Sequence, residues 1–234
     1  MVLVTGIPAS KPATQVDAEI SITLQGERND FVSRGGHKLA GALDAFPEIS
    51  VMGKRALDAG ASTGGFTDVL LKRDVAQVVA VDVGYGQLAW ELRTDERVTV
   101  LDRTNVRHLT IEQIGEPVDL IVADLSFISL TLVLPALVSV SKTSADFLVM
   151  VKPQFEVGRE KLGAGGVVRD PALRKAAVRD VADSAYDMGL GCNGVVASSL
   201  PGPSGNVEYF LWLKRGVQEI SEADLDAAIS EGPQ

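Results

Sequence analysis

With 234 residues the chain has room for one well-buried domain of roughly 180 to 200 residues plus extensions, and 46% hydrophobic with 23% charged residues mark an ordinary globular protein. The single Cys192 excludes an internal disulfide, C-x-x-C zinc spacing is absent, and two isolated histidines, His37 and His108, argue against a His-based metal site, so a reducing, cytoplasmic setting without bound metal is the expectation. A net charge of −9 weighs against a nucleic-acid partner only superficially: Glu219, Glu222, Asp224, Asp226 and Glu231 crowd a tail that holds no Lys or Arg.

Near the N-terminus, Val2-Leu3-Val4 and Ala18-Glu19-Ile20-Ser21-Ile22-Thr23-Leu24 alternate apolar and polar side chains, which predicts two strands too short to build a core alone. Met1 to Pro8 lacks the basic start and apolar core of a secretory signal. Gln25 to Ser33 is polar and reads as a linker, and Gly35 to Phe46 places Leu39, Leu43 and Phe46 at helical spacing. From there predicted strands (55–58, 78–82, 98–101, 120–123, 146–151, 194–198 and 207–214) alternate with predicted helices (64–73, 88–94, 131–140 and 171–188). Such alternation calls for a parallel sheet with helices on both faces. The last strand follows a Pro/Gly turn and is expected to insert antiparallel. Ser221 followed by Asp224 predicts a capped acidic helix with Leu225, Ala228 and Ile229 on one side. The longest uncharged run, Leu125 to Ser141, contains Pro135 and several hydroxyl residues and falls short of the ~20 apolar residues of a membrane span, so it reads as a buried loop and helix.

The most telling stretch is Leu57-Asp58-Ala59-Gly60-Ala61-Ser62-Thr63-Gly64-Gly65-Phe66-Thr67, followed by Val78-Val79-Ala80-Val81-Asp82. Gly60, Gly64 and Gly65 let the backbone turn tightly and approach a ligand, Asp58 is positioned to reach the same ligand, and Asp82 ends the next strand where ribose hydroxyls need an acceptor. The dinucleotide fingerprint needs a glycine where Ser62 stands, and no Gly-Lys-Ser/Thr follows for a phosphate loop. The form D-x-G-x-x-x-G-G instead resembles the S-adenosylmethionine (AdoMet) loop of class I methyltransferases, and AdoMet carries no phosphate to cradle.

Four further positions carry chemistry. Asp102 follows the strand 98–101, where it either accepts from an adenine amino group or caps the following turn. Asp124 opens Asp-Leu-Ser-Phe-Ile-Ser, which lacks the Pro-Pro pair usual in enzymes that methylate base amines. Lys152 ends the apolar run 147–151, and Pro153 pushes it toward extended geometry. Glu208 lies among apolar strand residues and needs a partner, for which Lys38 and Lys152 are the choices. Basic residues group at Arg28, Arg34 and Lys38 and again at Lys152, Arg159, Lys161, Arg169, Arg174, Lys175 and Arg179; they form either an RNA-holding rim or solvated helix faces.

Taken together, Ser33-Arg34-Gly35-Gly36-His37-Lys38-Leu39, the 58–67 turn, Asp82-Val-Gly-Tyr-Gly-Gln-Leu88, Asp124-Leu-Ser-Phe-Ile-Ser129, Val151-Lys-Pro-Gln-Phe-Glu156 and Pro201-Gly-Pro-Ser-Gly-Asn-Val-Glu208 closely resemble the TlyA family of rRNA 2'-O-methyltransferases, also called hemolysins, with an FtsJ-like (RrmJ-like) domain. The resemblance implies a class I, Rossmann-like α/β fold: a mostly parallel seven-stranded sheet with an antiparallel last strand and helices on both faces. It implies AdoMet as methyl donor, the ribose 2'-hydroxyl of ribosomal RNA, often of cytidine, as acceptor in one or both subunits, and a Lys-Asp-Lys-Glu tetrad that falls on Lys38, Asp124, Lys152 and Glu208. The predicted donor site comprises Asp58, Gly60, Ser62, Thr63, Gly64, Gly65, Phe66, Asp82, Val83, Asp102, Arg103 and Asp124. Family members begin with an S4-type RNA-binding domain, of which residues 1–26 resemble only the closing strands. A linker at 27–34, the methyltransferase domain at 35–216 and an acidic helix or tail at 217–234 complete the expected organisation.

In this scheme Lys152 contacts the 2'-oxygen as base or as stabiliser of the developing alkoxide, Asp124 and Glu208 orient it, and Lys38 helps hold the substrate. Flanking carboxylates favour the charged lysine and desolvation the neutral one, so the two roles stay open. The Gly/Lys-rich segment 158–166 is either a lid over RNA or a flexible surface loop. Two other functions compete: a membrane-active hemolysin, for which no spanning or cationic amphipathic segment is evident, and a noncatalytic AdoMet-binding or ribosome-associated module.

Overall fold

The structure, a computed structural model, describes residues 2–5, 7–9, 15–16, 20–24, 30–202 and 204–232. It divides into two units, residues 1–30 and 31–234. The first holds a three-stranded antiparallel sheet of β1 (Val2–Val4), β2 (Ile7–Pro8) and β3 (Ile22–Leu24) in the order β2-β1-β3. Ala18, Glu19 and Arg28 lie outside the described residues.

In the second unit the chain runs through α1 (Gly35–Ala45), β4 (Arg55–Ala59), α2 (Gly65–Lys72), β5 (Gln77–Val81), α3 (Trp90–Arg93), β6 (Val98–Leu101), α4 (Ile111–Ile114) and β7 (Val118–Ala123). It continues through α5 (Leu134–Ser139), β8 (Ser141–Val151), α6 (Pro153–Glu156), α7 (Pro171–Asp187), β9 (Leu190–Ala197), β10 (Tyr209–Arg215) and α8 (Glu222–Glu231). The seven strands stand in the order β6-β5-β4-β7-β8-β10-β9. Pairs from β6 to β8 are parallel, whereas β10 is antiparallel to both β8 and β9.

The period of two along each strand sorts side chains between two cores. Leu57, Val79, Val81, Ile121, Phe147 and Leu211 pack under α5, α7 and α8, and the alternate residues Ala56, Val78, Leu120, Val122, Leu148 and Phe210 pack under α1 and α2. Burial on both faces explains why these strands read as continuous apolar runs rather than as an alternation.

Several elements differ from their sequence-based ranges. The helix expected over 88–94 shrinks to α3, and the one over 131–140 splits into a 3-10 turn at Leu130–Leu132 and then α5, with Pro135 in its first turn. Lys152 is extended, and Pro153, whose fixed φ suits a first helical turn, opens the short α6. The run after Asp124 is not a buried loop: Phe127 is 91% exposed and stands at φ +65°. At the C-terminus the Ser221 side chain accepts from the Asp224 N–H at 3.3 Å, and α8 buries Leu225, Ala228 and Ile229 in the core under α7. Its acids pair with the α7 cations, Glu222 and Asp226 with Lys175, and Glu222 with Arg179. With Arg174 buried, those three α7 cations do not form a free basic rim; Arg159, Lys161 and Arg169 are exposed.

Candidate active site

The parallel register brings one end of the sheet together: Ala59 lies beside Val81 and Ala123, Ala123 beside Val149, and Val151 beside Tyr209. Every loop that leaves these strands therefore starts on one rim, which is where open α/β sheets bind ligands. That rim collects the 60–64 turn, Asp82, Asp124 and Lys152. The antiparallel β10 begins there, just after Glu208.

Two adjoining cavities open on the rim. The larger, of about 500 Å³, lies against Gly60, Ser62, Asp82, Val83, Gln87 and Asn105 on one side and against the apolar Leu125, Ile128 and Val133 on the other. Gly60 stands at φ +88°, and its N–H and that of Ala61 donate to the Val81 carbonyl at 2.9 and 3.1 Å. A Cβ on Gly60 would sit 2.5 Å from the Asp124 carbonyl, so this glycine is needed for the crossing of two loops more than for approach to a ligand. Gly64, at φ +101°, likewise abuts Leu88 and Leu92 and lies outside the lining of both cavities. The Asp82 carboxylate accepts from the N–H groups of Ser62 and Gly84 at 2.8 and 2.7 Å and so joins the two loops.

Asp58 departs from expectation. It is completely buried beneath the turn, on the strand face that packs on α2, and accepts from the Thr67 hydroxyl at 2.7 Å instead of lining a cavity. Burial pushes its carboxyl up to about 7, against the opposing pull of the Thr67 hydrogen bond. The folded state therefore keeps a proton that the unfolded chain releases. The stability this contributes is complete below about pH 4 and is lost as pH rises through about 7. Asp58→Asn should flatten that dependence, so its denaturation midpoint will drop less than the wild type's between about pH 5 and pH 8, a difference worth a few kcal/mol. Parallel pH profiles of the two proteins would count against the buried neutral carboxyl.

Asp102 and Arg103 also lie outside both linings. The Asp102 carboxylate accepts from Arg93 at 2.7 Å, and that guanidinium holds its carboxyl below the usual carboxylate range. The Arg103 guanidinium stacks 4.3 Å from the Tyr85 ring centroid. Asn105, three residues beyond Asp102, lines the larger cavity. Gln87 falls inside the 82–88 motif without being marked there as a donor-site residue, and Asn105 belongs to no recognisable spacing, so no sequence signal singled it out.

The second cavity, of about 290 Å³, shares Gly60, Ser62, Asp124 and Ser126 with the first. Thr63, Gly65 and Phe66 of the turn form its floor, with Ser33, Arg34 and Lys38 from the start of α1 facing Lys152. Lys38, Asp124 and Lys152 line this cavity and Glu208 lies buried behind Lys38, so the tetrad stands as two separate pairs. Lys38, 5% exposed, pairs with the fully buried Glu208, while Lys152, 8% exposed, contacts Asp124 Oδ1 at 2.5 Å and donates to Ser126 Oγ at 3.1 Å. The expectation that Glu208 orients Lys152 gives way to Glu208 holding Lys38. Each buried charge has its opposite within contact distance, as burial demands. Among the described residues no group of three or more His, Cys, Asp or Glu side chains is placed to hold a metal ion, and no helix is long and apolar enough to cross a membrane.

Strand order, the antiparallel β10 and a cavity at the carboxyl ends of β4 and β5 define a class I methyltransferase fold. Residues 31–215 match the FtsJ-like methyltransferase family, and the chain belongs to it. It is 58% identical to the 16S/23S rRNA (cytidine-2'-O)-methyltransferase TlyA of Mycobacterium tuberculosis over 99% of this chain and 88% of that protein. It is 35% identical to Hemolysin A of Brachyspira hyodysenteriae over 89% of this chain and 86% of that one. A solved structure from Streptococcus thermophilus, described as a candidate hemolysin, superposes with a TM-score of 0.84 at 35% identity, covering 98% of this chain and 85% of that chain.

Proposed function

We propose that the protein transfers a methyl group from AdoMet to a ribose 2'-hydroxyl of ribosomal RNA, with cytidine as the acceptor nucleoside, in the cytoplasm. The observation that carries this reading is the pair of adjoining cavities that meet at Asp124 and Ser126, one suited to the donor and one lined by two lysines. The larger cavity fits the donor in size and in chemistry, since it combines an apolar wall with the Asp82 carboxylate and carries no lysine for a phosphate. AdoMet, when bound, supplies a methyl group on a sulfonium centre. Ser62, Asp82, Val83, Gln87 and Asn105 are the residues that would hold it.

On the acceptor side the ion pair with Asp124 presents Lys152 as a cation at the mouth of the smaller cavity. A fixed ammonium there stabilises negative charge as it develops on the acceptor oxygen while the hydroxyl proton leaves to solvent at the cavity mouth, and Asp124 with Ser126 aims it. Lys38, held by Glu208, and Arg34, whose guanidinium donates to the Pro201 carbonyl at 2.6 Å, add positive charge toward an RNA backbone. The exposed Phe127 ring beside the cavities offers a face on which a base can stack. Incubation of the purified protein with ribosomal subunits and methyl-labelled AdoMet, followed by mapping of ribose methylation, tests the reading. Label is expected on a ribose oxygen of rRNA; label on a base nitrogen, or none from protein that binds AdoMet, overturns it.

A further inference from the structure

We propose that Glu156 is a positioning residue for methyl transfer: its carboxylate clamps α6 to the loop after β7 and thereby fixes the Lys152–Asp124 pair and the wall common to both cavities. This rests on the assignment of those cavities to donor and acceptor. Glu156 follows Lys152 by one helical turn, and its Oε1 accepts from the Leu130 N–H at 2.9 Å while its Oε2 accepts from the Ser129 hydroxyl at 2.5 Å. The Ser129 hydroxyl lies 2.7 Å from that of Thr131, which completes a small network at the far end of the loop that Asp124 begins.

Both clamped segments lack strength of their own. Helix α6 has four residues, too few to be stable without tertiary anchors. The loop carries Phe127 in left-handed backbone geometry, which a non-glycine residue adopts only when its surroundings impose it. Two contacts impose it from α6: the Glu156 bonds, and Phe155, whose ring centroid lies 5.1 Å from that of Phe127. The clamped loop supplies Leu125, Ser126, Phe127 and Ile128 to the larger cavity and the Ser126 hydroxyl to Lys152. Glu156 lies outside both linings, so any effect on transfer is exerted through these neighbours. Burial raises its carboxyl above the usual range, Asp180 on α7 adds to the rise, and the bonds from Ser129 and Leu130 oppose it.

The test compares full-length wild type with Glu156→Ala, Glu156→Gln and Ser129→Ala, measuring AdoMet affinity by calorimetry and methyl transfer to ribosomal subunits well below each variant's melting temperature. Glu156→Ala is expected to lower kcat by between ten- and a hundredfold and to weaken AdoMet binding severalfold, with the KM for subunits unchanged. Glu156→Gln, which keeps one acceptor oxygen, should fall between Ala and wild type. A merely structural role would lower the melting temperature and leave kcat and AdoMet affinity of the folded protein at wild-type values; that result overturns the proposal. If Glu156→Ala does not fold, Ser129→Ala decides, with a smaller loss in the same direction expected and unchanged values overturning it. Should wild type bind AdoMet but transfer nothing to rRNA, the proposed function fails on its own. AdoMet affinity of the variants then still tests the clamp, a weakened affinity supporting it and an unchanged one overturning it.

Discussion

Lys152→Ala is expected to lower methyl transfer to ribosomal RNA by at least about a hundredfold while leaving the fold and AdoMet binding in place. Lys152 lines the smaller cavity and is absent from the lining of the larger, so its removal spares the donor site. What is lost is a fixed cation, aimed by Asp124 at 2.5 Å and by Ser126 at 3.1 Å. Loss of one preorganised donor to a developing oxyanion costs roughly 3 to 4 kcal/mol in other enzymes. Lys152→Arg separates the two roles of this side chain. A guanidinium keeps the positive charge but does not give up its proton, so measurable turnover by Lys152→Arg supports charge stabilisation, and complete loss in a protein that still binds AdoMet favours a lysine base. Wild-type rates in Lys152→Ala would remove the residue from the chemistry altogether.

The largest effect on stability is expected at Glu208. Its side chain is fully buried and pairs with Lys38, itself 5% exposed, so Glu208→Leu leaves an ammonium without a counter-charge in the protein interior. Breaking a buried pair from one side costs about 3–5 kcal/mol, which in a domain of this size lowers the melting temperature by roughly 10 °C. Adding Lys38→Met should return most of that stability, because two apolar side chains replace a pair whose desolvation had largely offset its attraction. Activity should stay low in the double variant, since the cavity has lost the Lys38 cation. Chemical denaturation of wild type, both single variants and the double variant gives the coupling directly. A loss below about 1 kcal/mol in Glu208→Leu would mean that Lys38 finds another partner or reaches water.

Much of the site was readable because its signals are local. The glycine spacing from Gly60 to Gly65 and an Asp at the end of the next strand fall within one strand-turn-helix-strand unit, where chain geometry alone puts Asp82 beside the Ser62 amide. The same reasoning misplaced Asp58. It precedes the turn, yet the two-residue period of a strand sends its side chain under α2 toward Thr67. At Asp102 the structure adds a partner that the sequence does not announce: Arg93, from α3, pairs with its carboxylate.

The sequence by itself determined the alternation of strands and helices, the rim on which the loops would gather and the family, and it singled out the four ionisable residues proposed for the site, because each of these follows from short-range periodicity or from a contiguous motif. Only the tertiary structure decided how those four combine. Lys38 and Glu208 are 170 positions apart and meet because β10 inserts antiparallel beside β8, which delivers Glu208 to the rim from the opposite direction. Asp124 and Lys152 meet because β7 and β8 are parallel neighbours. Which cation takes which carboxylate, and that Glu156 meets Ser129 and Leu130 at the end of the loop between them, depends on strand order and on desolvation in the packed interior. Neither of these is a property of any one segment of the chain.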